Sequence, residues 1–171
     1  MEMKEKVDNF LNEDAFFVKE NISNDKESWD SYFMRVALLV SERSSCTHRK
    51  VGAVIVKDKR ILATGYNQPP SGFPHCDEIK CIRDVLNIKS GEYQEICYGL
   101  HAEQNALMQA ARFGISTLDA SIYVTHQPCS ICSRLIVNSG IKKVYYNEPY
   151  PDSLSKFFFK NCGIEIFSLK I

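Results

Sequence analysis

Three apolar segments in the second half of the chain, residues 121–125, 141–146 and 164–169, alternate with two stretches of helical period, residues 129–138 and 152–161. Strands separated by single helices pair in parallel, through right-handed crossovers. Gly140 and Gly163 stand where the two helices must stop. This constrains the fold more than any other feature, because a parallel pair cannot be made from hairpins. Upstream, Ser28 is a natural N-cap, and Trp29, Tyr32, Phe33, Val36, Ala37 and Val40 follow at helical spacing, which predicts a helix over 29–43. Residues 51–56 and 60–66 read as strands joined through the polar turn Lys57-Asp58-Lys59, a hairpin. Residues 101–113 read as a helix stopped by Gly114. The order α-β-β-α-β-α-β-α-β predicts an α/β protein, a three-layer α/β/α sandwich with a mixed five-stranded sheet. The expected division is an N-terminal extension, 1–27, rich in Glu, Lys, Asn and Asp with an apolar patch at 15–18, and one domain, 28–171.

The strongest chemical signal is His101-Ala102-Glu103 followed by Pro128-Cys129-Ser130-Ile131-Cys132. Zinc favours imidazole and thiolate donors in a tetrahedron, and one His with two Cys leaves a fourth position open, the mark of a catalytic site. Cys129 and Cys132 share one side of a first helical turn, whose positive end favours thiolate. His101 opens the preceding helix, so both helix starts can meet at the carboxyl edge of the sheet. Glu103 need not be a ligand. A carboxylate beside an activated water can take its proton and deliver it to a leaving group. A structural Cys-x-x-Cys half-site is the bland alternative, and the upstream His-Ala-Glu weighs against it. The signature His-x-Glu…Pro-Cys-x-x-Cys is that of zinc nucleobase deaminases.

Composition narrows the partner. Lys plus Arg and Asp plus Glu number 21 each, so the net charge is zero. A polymer-binding protein is usually basic, so no nucleic-acid polymer is expected as partner. No stretch approaches the roughly 18 apolar residues of a membrane span, and the first residues lack the apolar run of a signal peptide. The expectation is a cytoplasmic protein without a membrane partner. Seven cysteines in such a protein read as metal ligands or buried thiols rather than disulfides. Residues 67–100 hold three of the six prolines and three of the seven cysteines, with no sustained period. An irregular segment of that length is normally functional or pinned. Cys46, Cys76, Cys81 and Cys97 are candidates to pin it by closing a second, structural zinc site, with His75 as an alternative ligand. Four unrelated thiols are the competing reading.

The strings Ser28-Trp29-Asp30, Val51-Gly52-Ala53-Val54-Ile55-Val56, Thr64-Gly65-Tyr66-Asn67, His101-Ala102-Glu103-Gln104-Asn105-Ala106 and Tyr123-Val124-Thr125-His126-Gln127-Pro128-Cys129 resemble the deoxycytidylate (dCMP) deaminases, within the cytidine deaminase-like superfamily. The resemblance runs from about residue 28 to the end. It implies hydrolysis of dCMP to dUMP and ammonia, feeding thymidylate synthesis, with Zn2+ at His101, Cys129 and Cys132 and with Glu103 moving protons. It implies that Asn67 holds the sugar or base, and that Ser71 and Gly72 approach the 5′-phosphate. A strand-capping role is the alternative for Asn67. The chain departs from the family at Gln68, where relatives carry Gly. The resemblance further implies a homo-oligomer, commonly a hexamer, and dCTP and dTTP effectors, with Mg2+ accompanying a nucleotide effector. Arg112 and Tyr150 are the candidate effector residues, and a solvated helix-end role is the alternative for Arg112. The competing functions are another deaminase of the superfamily, acting on dCTP, a tRNA adenosine or another nucleoside or base, and an inactive zinc scaffold.

Overall fold

The computed structural model describes residues 27–89 and 91–171. The extension up to residue 26, with its apolar patch, lies outside the described residues. The elements are α1 (Trp29–Ser41), β1 (Gly52–Lys57), β2 (Arg60–Tyr66), α2 (Ile82–Val85), α3 (Ala102–Arg112), β3 (Ser121–His126), α4 (Ser130–Asn138), β4 (Lys143–Glu148), α5 (Ser153–Asn161) and β5 (Glu165–Ser168). The sheet order is β2-β1-β3-β4-β5. β1 is antiparallel to both β2 and β3, whereas β3, β4 and β5 are parallel. The mixed five-stranded sheet expected from the element order is the one observed. Among the described residues, no helix is long and apolar enough to cross a membrane.

The unbroken apolar run of β1 reflects burial on both faces, as in a central strand. Ala53 and Ile55 belong to the larger core, under α3, α4 and Phe159 of α5. Val54 and Val56 face the other way, into a smaller core with Phe33, Met34 and Ala37 of α1. Phe33, Tyr123, Tyr145 and Phe167 form an aromatic row across that second face. The buried Tyr123 hydroxyl donates to Asp30 Oδ1 at 2.6 Å.

Two glycines set how closely helices approach the sheet. A Cβ on Gly52 would stand 2.1 Å from the Ala37 carbonyl oxygen, and one on Gly65 2.3 Å from the Ala102 carbonyl oxygen and the Ala106 amide. α1 and α3 therefore rest directly on backbone, on opposite faces. The segment between β2 and α3 is closed at its base by a reciprocal bridge, in which the Gln68 amide donates to Leu100 O and the Leu100 amide to Gln68 O. Gln68, the departure from the family, thus acts here through its backbone.

Candidate active site

His101 and Cys129 are the N-caps of α3 and α4. Both caps are braced. The Gln104 side chain accepts from the His101 amide at 2.7 Å. The Asp152 carboxylate accepts from the Ser130 amide at 2.7 Å and from the Ser155 amide at 3.0 Å, so one side chain caps α4 and α5 together. The Asn105 side chain donates to Tyr66 O at 2.7 Å. With the Gly65–Ala106 contact, this locks the first turn of α3 onto the end of β2. The Gly65-Tyr66-Asn67 and Gln104-Asn105-Ala106 motifs are two halves of one joint, and the joint aims His101 and Glu103.

His101 Nδ1 lies 3.4 Å from Cys129 Sγ and 3.3 Å from Cys132 Sγ. Nitrogen and sulfur ligands of one tetrahedral zinc, at its usual bond lengths, stand roughly 3.5 Å apart. The three donor atoms therefore fit the metal without rearrangement. All three atoms lie within 4.8 Å of one another. Their protons are coupled. The Cys132 thiol, and after it His101, stabilises Cys129 as a thiolate, with a pKa lowered to about 4. Cys132 is held protonated by the same bond, and the bond to Cys129 keeps the His101 imidazole charged more readily than usual. A dication fitted among these groups takes over the role of those protons.

Glu103 is buried beside them, 4% exposed. Loss of hydration raises its pKa, against the opposing pull of His101. A carboxyl so placed takes up a proton more readily than an exposed one, which suits it to hold and return a proton as a general acid–base must.

Cys132 is fully buried, while His101, Glu103 and Cys129 line a cavity of about 230 Å³ whose wall also includes Asn67, His126, Gln127 and Tyr150. It opens into a polar cleft of about 590 Å³, and Arg49, Gly91, Gln94 and Tyr150 belong to both. Asn67 spends its amide on the backbone, accepting from the Val51 amide at 2.7 Å and donating to Arg49 O at 2.8 Å. Ser71 and Gly72 are exposed, in a turn closed by the Phe73 amide on Pro70 O, and line neither space. Arg112 is an exposed helix-end residue, also outside both. Tyr150 accepts from the Gln94 amide at 3.3 Å and covers Gly91.

Cys46, Cys76, Cys81 and Cys97 all line the cavity. Burial and then the other three thiols push the Cys76 pKa up to about 11. Among the described residues, the second set of three donors within 4.8 Å is His48, Cys81 and Asp84 rather than three cysteines. His75 is outside the cavity lining, its amide donating to Glu78. Sequence reasoning missed Arg83, whose guanidinium donates to the carbonyls of Lys89, Glu92 and Tyr93 and so ties the irregular segment to itself. It also missed Arg49 and His48 as wall residues.

The model of the MafB19-like deaminase family matches residues 27–169. The chain is 40% identical over 126 residues to the deoxycytidylate deaminase of Mycobacterium phage D29, covering 71% of this chain and 95% of that protein. The chain belongs to the deoxycytidylate deaminase family. The Schizosaccharomyces pombe deoxycytidylate deaminase is 39% identical over 82% of this chain, which spans only 44% of that longer protein. Among solved structures, the dCMP deaminase of cyanophage S-TIM5, crystallised with dCMP and dUMP, superposes with a TM-score of 0.71 at 34% identity, covering 84% of this chain and 98% of that one. The cytidine deaminase-like fold and the deaminase class are thereby those of this family.

Proposed function

We propose that this chain hydrolyses dCMP to dUMP and ammonia. The observation that carries the reading is the buried Glu103 set beside three donors of tetrahedral metal spacing, in a chain similar to deoxycytidylate deaminases over 71–82% of its length. Zinc held by His101, Cys129 and Cys132 would supply Lewis-acid activation of water, bringing its pKa towards neutrality. Glu103 takes a proton from the attacking water as its oxygen bonds to C4 of the cytosine. The same carboxyl gives that proton to N3, then carries the remaining proton of the new C4 hydroxyl to the amine, so that the C4–N bond breaks, ammonia leaves and the C4 carbonyl forms. Glu103 itself is shielded from bulk solvent, at 4% exposed. The test is an ammonia-release assay on dCMP, dCTP, CMP and deoxycytidine, with and without dCTP and Mg2+. Fastest turnover of dCMP is expected, and a chain inert towards dCMP would sink the reading.

In the same reading Cys46, Cys76, Cys81 and Cys97 hold a second, structural zinc. Their convergence on one cavity and the mutual effect on the Cys76 thiol support it. About two zinc per chain are expected, falling to one in Cys81→Ser. A single zinc unchanged by that substitution removes the second site. A homo-oligomer regulated by dCTP and dTTP, with Tyr150 as an effector contact, belongs to this reading, since Tyr150 stands where cavity and cleft join.

A further inference from the structure

A nucleotide carries a phosphate dianion, and a neutral chain must meet that charge locally. Five cationic or potentially cationic side chains line the cavity and cleft among the described residues: His48, Arg49, Arg83, His101 and His126. Four are committed. His101 is a metal donor. His48 Nε2 pairs with Asp84 Oδ1 at 2.8 Å. The Arg83 guanidinium is spent on three backbone carbonyls. His126 is half-buried on β3, where burial disfavours its charged form.

Arg49 is left. Its side chain is exposed and makes no hydrogen bond or ion pair among the described residues. Its backbone, in contrast, is fixed by Asn67, which clamps the Arg49 carbonyl and the Val51 amide from opposite ends of one side-chain amide. Arg49 belongs to the wall shared by the inner cavity and the outer cleft, and it is the cation of that shared wall. Glu103 and Arg49 line the same cavity, and Arg49 also lines the cleft into which that cavity opens. The other charged side chains of the cleft, Glu92, Glu95 and Asp152, are acidic and repel an anion, which leaves Arg49 as the favourable place for a phosphate.

We infer that Arg49 binds the 5′-phosphate of the substrate and so sets the preference for a nucleotide over a nucleoside, with Asn67 as its positioning residue. The inference rests on the dCMP reading and adds to it the residue that reads the phosphate. A guanidinium meets phosphate through paired, charge-assisted hydrogen bonds that lysine only partly reproduces.

The experiment measures KM and kcat for dCMP and for deoxycytidine with the full chain, Arg49→Gln and Arg49→Lys. Arg49→Gln is expected to raise KM for dCMP by about ten- to a hundred-fold, the range of one charged hydrogen-bonded contact, with kcat changed far less. Arg49→Lys is expected to recover part of that loss. Competitive inhibition by inorganic phosphate is expected for the unsubstituted chain and is expected to weaken in Arg49→Gln. An unchanged KM for dCMP in Arg49→Gln, with the unsubstituted chain still preferring dCMP, overturns the Arg49 assignment alone. Equal losses for dCMP and deoxycytidine overturn it too, since the effect is then not on phosphate. An unsubstituted chain that turns over deoxycytidine as well as dCMP overturns the substrate reading itself.

Discussion

Replacing Glu103 by Gln isolates proton transfer from metal binding. The two side chains have nearly the same shape, so the buried pocket around residue 103 stays filled. The donor distances of 3.3 and 3.4 Å among His101, Cys129 and Cys132 do not involve the carboxyl, so zinc content should be unchanged. What Gln cannot do is accept the proton of water and pass it on. Positioned acid–base groups contribute about 10²–10⁴ in rate, and here one carboxyl serves each transfer, which places the effect near the top of that range. A loss of about 10⁴ in kcat corresponds to about 5 kcal/mol of barrier. Stability should not fall, because loss of hydration already disfavours the charged carboxylate at this position. The assay is dUMP formation by chromatography, with zinc measured on the same preparation and a melting curve beside it. Turnover within about tenfold of the unsubstituted chain, in zinc-replete and folded Glu103→Gln, would refute the role.

Three further substitutions probe the frame. Gly65→Ala must push α3 away from β2, given a Cβ 2.3 Å from two backbone atoms. A loss of about 1–3 kcal/mol in denaturant unfolding is expected, with kcat reduced because His101 and Glu103 ride on that helix; an unaffected kcat would contradict the joint described above. Tyr123→Phe removes the bond to Asp30 and should cost about 1.5–3 kcal/mol, with turnover retained; no change in the unfolding midpoint would show the pair to be idle. At His126, burial and then the Arg49 charge hold the folded pKa below its ordinary value. The unfolded chain therefore binds that proton more readily, and the linked stability is present above about pH 6.5 and lost as pH falls through the folded value. Unfolding free energies at about pH 7.5 and about pH 5.5 should differ less in His126→Asn than in the unsubstituted chain; equal differences would exclude His126 as the source.

Periodicity carried the elements well because each helix and strand buries a definite face. The parallel crossovers were legible from the spacing of 121–169, and the grouping of His101, Cys129 and Cys132 as donors that could hold a metal from residue type and helix position. β4 begins two residues later than the apolar pattern suggests, since Ile141 is buried in the connection before the ladder starts. What escaped was information held by backbone partners. Arg83 binds carbonyls, which leave no trace in the residue string. Asn67 reads as a substrate contact or a turn cap, but both ends of its amide meet backbone around Arg49. The prolines and cysteines of 67–100 marked an unusual segment. They did not reveal the Gln68–Leu100 bridge that closes it.

Sheet polarity explains why the site draws on segments so distant in the chain. β2 and β3 both run against β1, and β3, β4 and β5 run together, so four strands end at one edge. Open α/β sheets place their sites at such carboxyl edges, and the helix starts bearing His101 and Cys129 lie there because each follows one of those strands. β1 alone points the other way, which brings its amino end to the same edge. Arg49 reaches the cavity through that reversal, with Val51 held beside it by Asn67. The reversal depends on a two-residue turn with Asp58 and Lys59 both left-handed, at φ 49° and 59°, the geometry that matches the twist of a tight hairpin. Were β1 parallel to its neighbours, Cys46 to Arg49 would enter at the opposite edge of the sheet. The cavity would then keep its metal donors and Glu103 but lose the wall to which the phosphate of a nucleotide is assigned. If Arg49 binds the phosphate as inferred, the hairpin is as much a condition of substrate choice as of folding.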